Sequence, residues 1–380
     1  MNYLLLQQQY KAESLFGRYI TLKHIEPLLA KHPTTIVGHS VLGKPIYQLV
    51  LGSGKTKIFM WSQMHGNEGT TTKALFDLIN FLHSDTKESE VLLNAFTFCL
   101  LPMLNPDGAE LYTRENANLV DLNRDAQNLT QPESKVLRQV FEAFQPDYCY
   151  NLHDQRTIFG VADSGNPATV SFLAPAYNEN RDINDVRTKA MSVIATMNDV
   201  LQQLIPNQVG RFDDSFNINC VGDTFQFLEV PTILFEAGHF PGDYEREETR
   251  KYIFTALLSG IQYLHENDVV DNKNDDYLKI PQNKVVFYDF VYKNVKINYD
   301  GKEKIINFAA QYKEVLNKEK VTFEARIAQI DHLESYFGHQ VIDAQGEIYL
   351  DNLTNFPNIE QKADFYLGKN IKIVNGLIKN

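Results

Sequence analysis

Four short apolar runs, far apart in the chain, constrain its fold more than any other feature, because each leads into a polar or turn-forming residue. Lys57–Ser62 (KIFMWS) leads to His65, and Ala95–Leu104 (AFTFCLLPML) to the turn Asn105-Pro106-Asp107-Gly108. Tyr148–Leu152 leads to His153, and Thr232–Phe235 to Glu236. Runs of this length, bounded by turn signals, read as buried strands. Gly69–Leu82, Pro132–Phe144, Asn184–Leu204 and Tyr244–His265 carry apolar residues at helical spacing. Thr35–Val37 and Ile46–Leu51 read as an antiparallel pair around Gly43-Lys44-Pro45, and Val170–Leu173 as a further strand. Such alternation predicts an α/β domain from about Leu28 to about Leu264. Ligand sites in open α/β sheets form outside the carboxyl ends of the strands, so the four runs are expected to deliver their polar residues to one place.

Beyond that stretch the texture changes. Glu266–Asp276 is a polar, acidic run with the composition of a linker. Lys284–Tyr292, Val321–Ile330, Glu347–Leu350 and Asp364–Val374 then alternate apolar and polar residues, as half-buried antiparallel strands do. The expected organisation is a catalytic domain over 1–266 and a β-rich domain over 277–380. The second carries no chemical constellation and reads as packing or partner contact.

A formal net charge of −12 argues against a nucleic-acid partner, because phosphate binding needs a basic face. The N-terminus lacks the basic lead and cleavage site of a secretory signal, and no apolar stretch reaches membrane-spanning length. Cys99, Cys149 and Cys220 are odd in number and widely spaced, which reads as buried free thiols. A cytoplasmic location is expected.

The strand-end residues carry the chemistry. His65-Gly66-Asn67-Glu68 places an imidazole and a carboxylate three residues apart, and His153 supplies a third ligand from another strand. Two nitrogens and one carboxylate leave a zinc ion one open position for water, whose pKa falls to about 7. Glu236, followed by Ala237-Gly238, suits a base that takes that water's proton and passes it to a leaving amine. The stretch from Arg114 to Asp125 holds arginines and amides suited to carboxylates and oxyanions, although singly each arginine reads as a surface ion pair.

Taken in order, HGNE at 65–68, NPDG at 105–108, DLNR at 121–124, NLH at 151–153 and FEAG at 235–238 resemble the zinc carboxypeptidase family. The resemblance implies a mixed, twisted eight-stranded sheet flanked by helices. It implies one Zn2+ per chain on His65, Glu68 and His153, with Asp121 hydrogen-bonded to the far nitrogen of His65. It further implies Arg114 at the oxyanion, Asn123 and Arg124 on the substrate's free carboxylate, and Glu236 as general base. The expected partner is a peptide or amino-acid amide with a free carboxylate, neither nucleic acid nor membrane.

Several residues depart from the family pattern. No tyrosine occurs in Pro206–Phe235, where the family carries one on a mobile loop; Phe216 or Asn217 is the nearest occupant. Asp154 stands where serine is usual, Ala-Gly-His follows the base, and Asp223 and His239 lie near the expected substrate pocket. Two rivals follow: a related zinc amide hydrolase acting on acyl-amino acids or murein peptides, and a non-catalytic binding module. The complete set of ligands and base disfavours the second.

Overall fold

In a computed structural model, which describes residues 2–267, 269–299, 301–351 and 354–379, the apolar runs become neighbouring strands of one sheet. Asp268, inside the expected linker, lies outside the described residues. The chain divides into two compact units, one of Met1–Gln155 with Ala168–Asn283 and one of Arg156–Pro167 with Lys284–Asn380.

The first unit contains β1 (Thr34–His39), β2 (Pro45–Gly52), β3 (Thr56–Ser62), β4 (Phe96–Leu101) and β5 (Tyr148–Asp154). After β6 (Phe159–Val161), a strand of the second unit, come β7 (Val170–Leu173), β8 (Val209–Arg211) and β9 (Thr232–Ala237). The eight strands of the first unit run in the order β1-β2-β4-β3-β5-β9-β7-β8. β4, β3, β5 and β9 are parallel neighbours, whereas β2 and β7 join them antiparallel. The sheet is therefore mixed, and the four motif-bearing strands end on the same edge.

Helices α1 (Tyr3–Tyr10), α2 (Leu22–Leu29), α3 (Thr70–Leu82), α4 (Lys87–Ala95), α5 (Pro106–Leu111) and α6 (Pro132–Phe144) belong to this unit. So do α7 (Asp185–Gln202), α8 (Val221–Phe227), α9 (Glu247–Glu266) and α10 (Asn274–Lys279). Period-2 alternation divides the strand residues between two cores. Ile58 and Met60 pack with Leu75, Phe76, Ile194, Phe254 and Leu257 of α3, α7 and α9. Phe59 and Trp61 pack with Leu137, Phe141 and Phe225 of α6 and α8. Covering both faces explains why the parallel strands read as unbroken apolar runs. Each such buried side chain contributes about 1.5–3 kcal/mol.

The segment expected as a turn, Asn105–Gly108, is the start of α5. Asn105 Oδ1 accepts the Gly108 amide at 2.9 Å, and Pro106 occupies a first-turn position where its missing N–H costs nothing. Periodicity does not reveal α1, α2, α4, α8 or α10, and α10 occupies part of the expected linker. Cys99 and Cys149 are buried free thiols, whereas Cys220 is partly exposed because it sits just before α8.

In the second unit, β10 (Asn283–Val285), which begins at the last residue of the first unit, pairs with β6. β11 (Phe287–Tyr299), β12 (Lys302–Asn317), β13 (Lys320–Ile330) and β14 (Phe337–Asp343) form a sheet in the order β13-β12-β11-β14. A second sheet holds β15 (Tyr349–Leu350), β16 (Phe365–Leu367), β17 (Ile371–Val374) and β18 (Leu377–Lys379). Tyr292, Phe308, Tyr349 and Phe365 share its core. Among the described residues, no helix is long and apolar enough to cross a membrane.

Candidate metal centre

The carboxyl edge of the four parallel strands gathers the polar residues. β3 ends at Ser62, and Gln63 turns the chain with a positive φ of 50° into the loop that carries His65 and Glu68 before α3 begins. His153 lies on β5 directly in register with Glu236 on β9. Gly66 admits no side chain, since a Cβ there would lie 1.9 Å from the carbonyl carbon of Gly108. The ligand loop and the α5 turn thus pack backbone against backbone.

Three side chains converge at contact distance. His65 Nδ1 lies 2.8 Å from Glu68 Oε1, His153 Nδ1 lies 2.9 Å from Glu68 Oε2, and the two Nδ1 atoms are 3.1 Å apart. His65 Nε2 lies 3.0 Å from Asp121 Oδ1; donating there, the neutral imidazole would present the lone pair of Nδ1 to the cluster, where Arg114 Nη1 also lies 3.2 Å from it. Nδ1 of His153 faces that lone pair and the carboxylate together, while its Nε2 has no hydrogen-bond partner among the described residues. Imidazole nitrogens and carboxylate oxygens gathered this closely suit a cation. Tetrahedral zinc with bonds of 2.0–2.1 Å would set its ligand atoms about 3.3 Å apart, close to the spacing found. The three residues are buried and form a cluster able to hold a metal ion.

Electrostatics follow the same geometry. Burial acts against the charged form of Glu68, yet the His65 charge and the hydrogen bond to His153 outweigh it and hold the carboxyl far below its usual range. Burial would likewise raise Asp121, but the His65 hydrogen bond and the Arg114 charge hold it low. Burial lowers His153; for His65 it is outweighed by Glu68 and Asp121, which raise the imidazole. Glu236 goes the other way: burial, then the Glu68 and Asp154 charges, push its carboxyl well up. Its Oε2 is sealed from solvent and has no partner among the described residues.

Arg114 binds Asp121 through Nε at 3.1 Å and Nη2 at 3.0 Å. Its Nη1 lies 3.2 Å from His65 Nδ1 and 3.5 Å from Glu68 Oε1, so this arginine belongs to the cluster. Asn123 is buried; its amide donates to Asp121 Oδ1 and its Oδ1 accepts from Val221 at the start of α8. Arg124 is exposed, with Nη1 on the Asn123 carbonyl at 2.8 Å. Asp223, within α8, is pushed up to about 6 by burial against the pull of Arg124 and Arg187. In place of a loop tyrosine, Asn217 gives its amide to Asp223 Oδ1, and Phe216 is half-buried. His239 is buried with its ring against Tyr244.

Three further residues support the cluster; Arg246 and Gln63 carry no signal in sequence, and Asp154 shows only as a departure from the family pattern. Asp154 receives the amides of Thr70 and Thr71 on its two carboxylate oxygens, and so caps α3 from outside while its own amide binds Glu68 Oε2. Arg246 donates to the carbonyls of Gln155 and Ala237, joining the ends of β5 and β9 just past His153 and Glu236. Gln63 bonds to both sides of the ligand loop.

A family model described as zinc carboxypeptidase matches residues 22–196. Over 113 residues the chain is 31% identical to gamma-D-glutamyl-L-diamino acid endopeptidase 1 of Lysinibacillus sphaericus, covering 28% of each. Over 102 residues it is 28% identical to carboxypeptidase 2 of Trichophyton rubrum, covering 27% of this chain and 19% of that one. The matched stretch thus spans well under a third of either relative. Carboxypeptidase A from Helicoverpa armigera has a similar fold, with a TM-score of 0.53 at 16% identity over 69% of this chain and 80% of that one.

Proposed function

We propose that the chain, whose residues 22–196 match the zinc carboxypeptidase model, is a zinc metallopeptidase that removes residues one at a time from the C-terminus of peptides. The observation that carries this reading is the convergence of His65 Nδ1, Glu68 and His153 Nδ1, with Glu236 in register beside His153. His65, Glu68 and His153 would hold one zinc per chain. When bound, zinc supplies Lewis acidity, which polarises the scissile carbonyl and lowers the pKa of water to about 7.

The chain's own residues divide the remaining work. Asp121 accepts from His65 Nε2 and so keeps Nδ1 free for the ion. Glu236 takes a proton from the attacking water as the new C–O bond forms, and returns it to the amine as the C–N bond breaks. Burial, then the Glu68 and Asp154 charges, raise its pKa, which makes the carboxylate a stronger proton acceptor. Arg114, anchored by Asp121, offers Nη1 to the developing oxyanion. Asn123 and Arg124 would hold the terminal carboxylate, with exposed Arg124 turning in to meet it.

The test is mass spectrometry of a mixed peptide pool incubated with zinc-loaded protein, with Glu236→Gln as control. Ladders shortened by one C-terminal residue at a time are the expected outcome. A second reading, a zinc amide hydrolase acting on murein peptides, is favoured by the similarity to the diamino acid endopeptidase. Intact peptides alongside cleaved murein peptides or acyl-amino acids would select that class instead.

A further inference from the structure

Gln63 is an unusual residue at its position. It is almost fully buried, is not glycine, and adopts the left-handed backbone region that side chains rarely occupy. Its side chain is fully used. Nε2 donates to the Ile20 carbonyl at 2.7 Å and to the Gly66 carbonyl at 2.9 Å. Its Oε1 accepts from Thr72 Oγ1 at 3.0 Å, in the first turn of α3, and its carbonyl accepts the Asn105 amide at 3.1 Å. One residue thus joins the segment before α2, the loop between the two ligands, the helix that follows Glu68, and the NPDG turn.

We infer that Gln63 is a positioning residue for the metal centre, an inference that rests on the zinc reading of His65, Glu68 and His153. His65 and Glu68 reach one ion only if the backbone between them holds a single conformation. Within that loop the Glu68 amide bonds to the His65 carbonyl and the Asn67 amide to the Thr113 carbonyl, but the Gly66 carbonyl is fixed by the Gln63 side chain. Removing that donor would leave the Gly66–Asn67 peptide held at one end only, by the Asn67 amide, beside a residue that has no side chain to restrain it. The ligands would then spend part of their time out of register, and zinc would bind more weakly although the sheet beneath remained intact. Partners that orient ligands from outside typically change metal affinity 10- to 100-fold.

The experiment measures the zinc dissociation constant of folded apo-protein by competition with a chromogenic chelator, beside the thermal unfolding of the same samples. Gln63→Met keeps the length of the side chain and removes its polar atoms. Its expected effect is zinc binding weakened about 10- to 100-fold. Thr72→Val removes only the hydroxyl that orients the Gln63 amide, and a smaller weakening of about threefold is expected from losing this one outer bond. A folded Gln63→Met variant with wild-type zinc affinity overturns the inference, even if its apo form melts earlier, since that would be a structural role alone. If Gln63→Met does not fold, wild-type affinity in Thr72→Val overturns it. His153→Ala separates the two claims: wild-type protein that binds zinc no tighter than this variant refutes the zinc reading itself, and the positioning role with it.

Discussion

Two buried polar clusters lie within the same unit and answer the cost of burying charge in opposite ways. Around Asp77 and Arg250, every group meets its complement. Asp77 accepts from Gln7 Nε2 at 2.8 Å, from the Ala12 amide at 2.7 Å and from Arg250, which also donates to the carbonyls of Ala12 and Leu15. Glu247 accepts from Lys73 and Arg250, and Lys11 lies 3.1 Å from it. Around His65 and His153, by contrast, two imidazole nitrogens face each other at 3.1 Å, and Glu236 Oε2 has no partner among the described residues. Unsatisfied buried polar groups cost about 1–3 kcal/mol each, so the second arrangement persists only where something else repays it. The first cluster is a fastening of the N-terminal segment to α3 and α9. The second is the cluster proposed to hold the metal.

The comparison breaks most visibly at Glu236. On the roles proposed for them, Glu236→Gln leaves His65, Glu68 and His153 untouched but removes the proton acceptor, so turnover should fall about 10²- to 10⁴-fold. Zinc content, read by elemental analysis, should stay at the wild-type level. Near-normal turnover would remove Glu236 from the base role.

Asp77→Asn tests the other cluster. It leaves the Arg250 charge buried beside an amide, and breaking a buried pair typically costs about 3–5 kcal/mol. Urea unfolding should show that loss, with zinc affinity of the folded protein unchanged. Burial already pushes the Asp77 carboxyl up against the pull of Arg250, which marks the pair as costly to bury and costlier to break. A loss under about 1 kcal/mol would mean that this network fastens nothing. Asp121→Asn should have a smaller effect, since the amide can still face His65 Nε2. Zinc affinity should weaken about 10- to 100-fold with little change in apo stability. Unchanged affinity would place Asp121 outside the site's support.

The two clusters also differ in how far they were legible in sequence. His65, Glu68, His153 and Glu236 stand at the ends of apolar runs, and a parallel sheet brings such ends together by topology alone. Asp77 and Arg250 are 173 positions apart inside helical segments, where a charged residue reads as solvent-facing. Burial turned both inward, and nothing local announces that. Gln63, and the capping role of Asp154, were silent for a related reason: each acts through the ends or backbone of another element. In the second unit, β12 escaped notice because its outer residues are charged over much of its length, and β14 because FGHQVID alternates only weakly. The antiparallel strands with a clear apolar face, β13 among them, were legible for the opposite reason.

The smallest expected effect concerns Lys73, where the closed cluster titrates. Burial pushes the Lys73 amine down to about 8; Glu247 pulls it up, and Arg250 and Arg18 push it down again. Its ammonium lies 2.6 Å from Glu247 Oε1 and 3.0 Å from the Glu245 carbonyl. An unfolded lysine titrates near about 10.4. Between about pH 8 and 10.4 the unfolded chain therefore binds more protons than the folded one, and this residue's contribution to stability rises with pH. Below about pH 8 both states carry the proton, and the contribution is flat. Lys73→Met abolishes the titration. The stability difference between wild type and variant, from urea unfolding at pH 7.5, 9 and 10, should therefore move in favour of wild type as pH rises. A difference that stays level, or moves the other way, would mean that Lys73 keeps an ordinary amine. Glu247 and the Glu245 carbonyl would then offset its burial in full, which would sharpen the contrast with the metal centre.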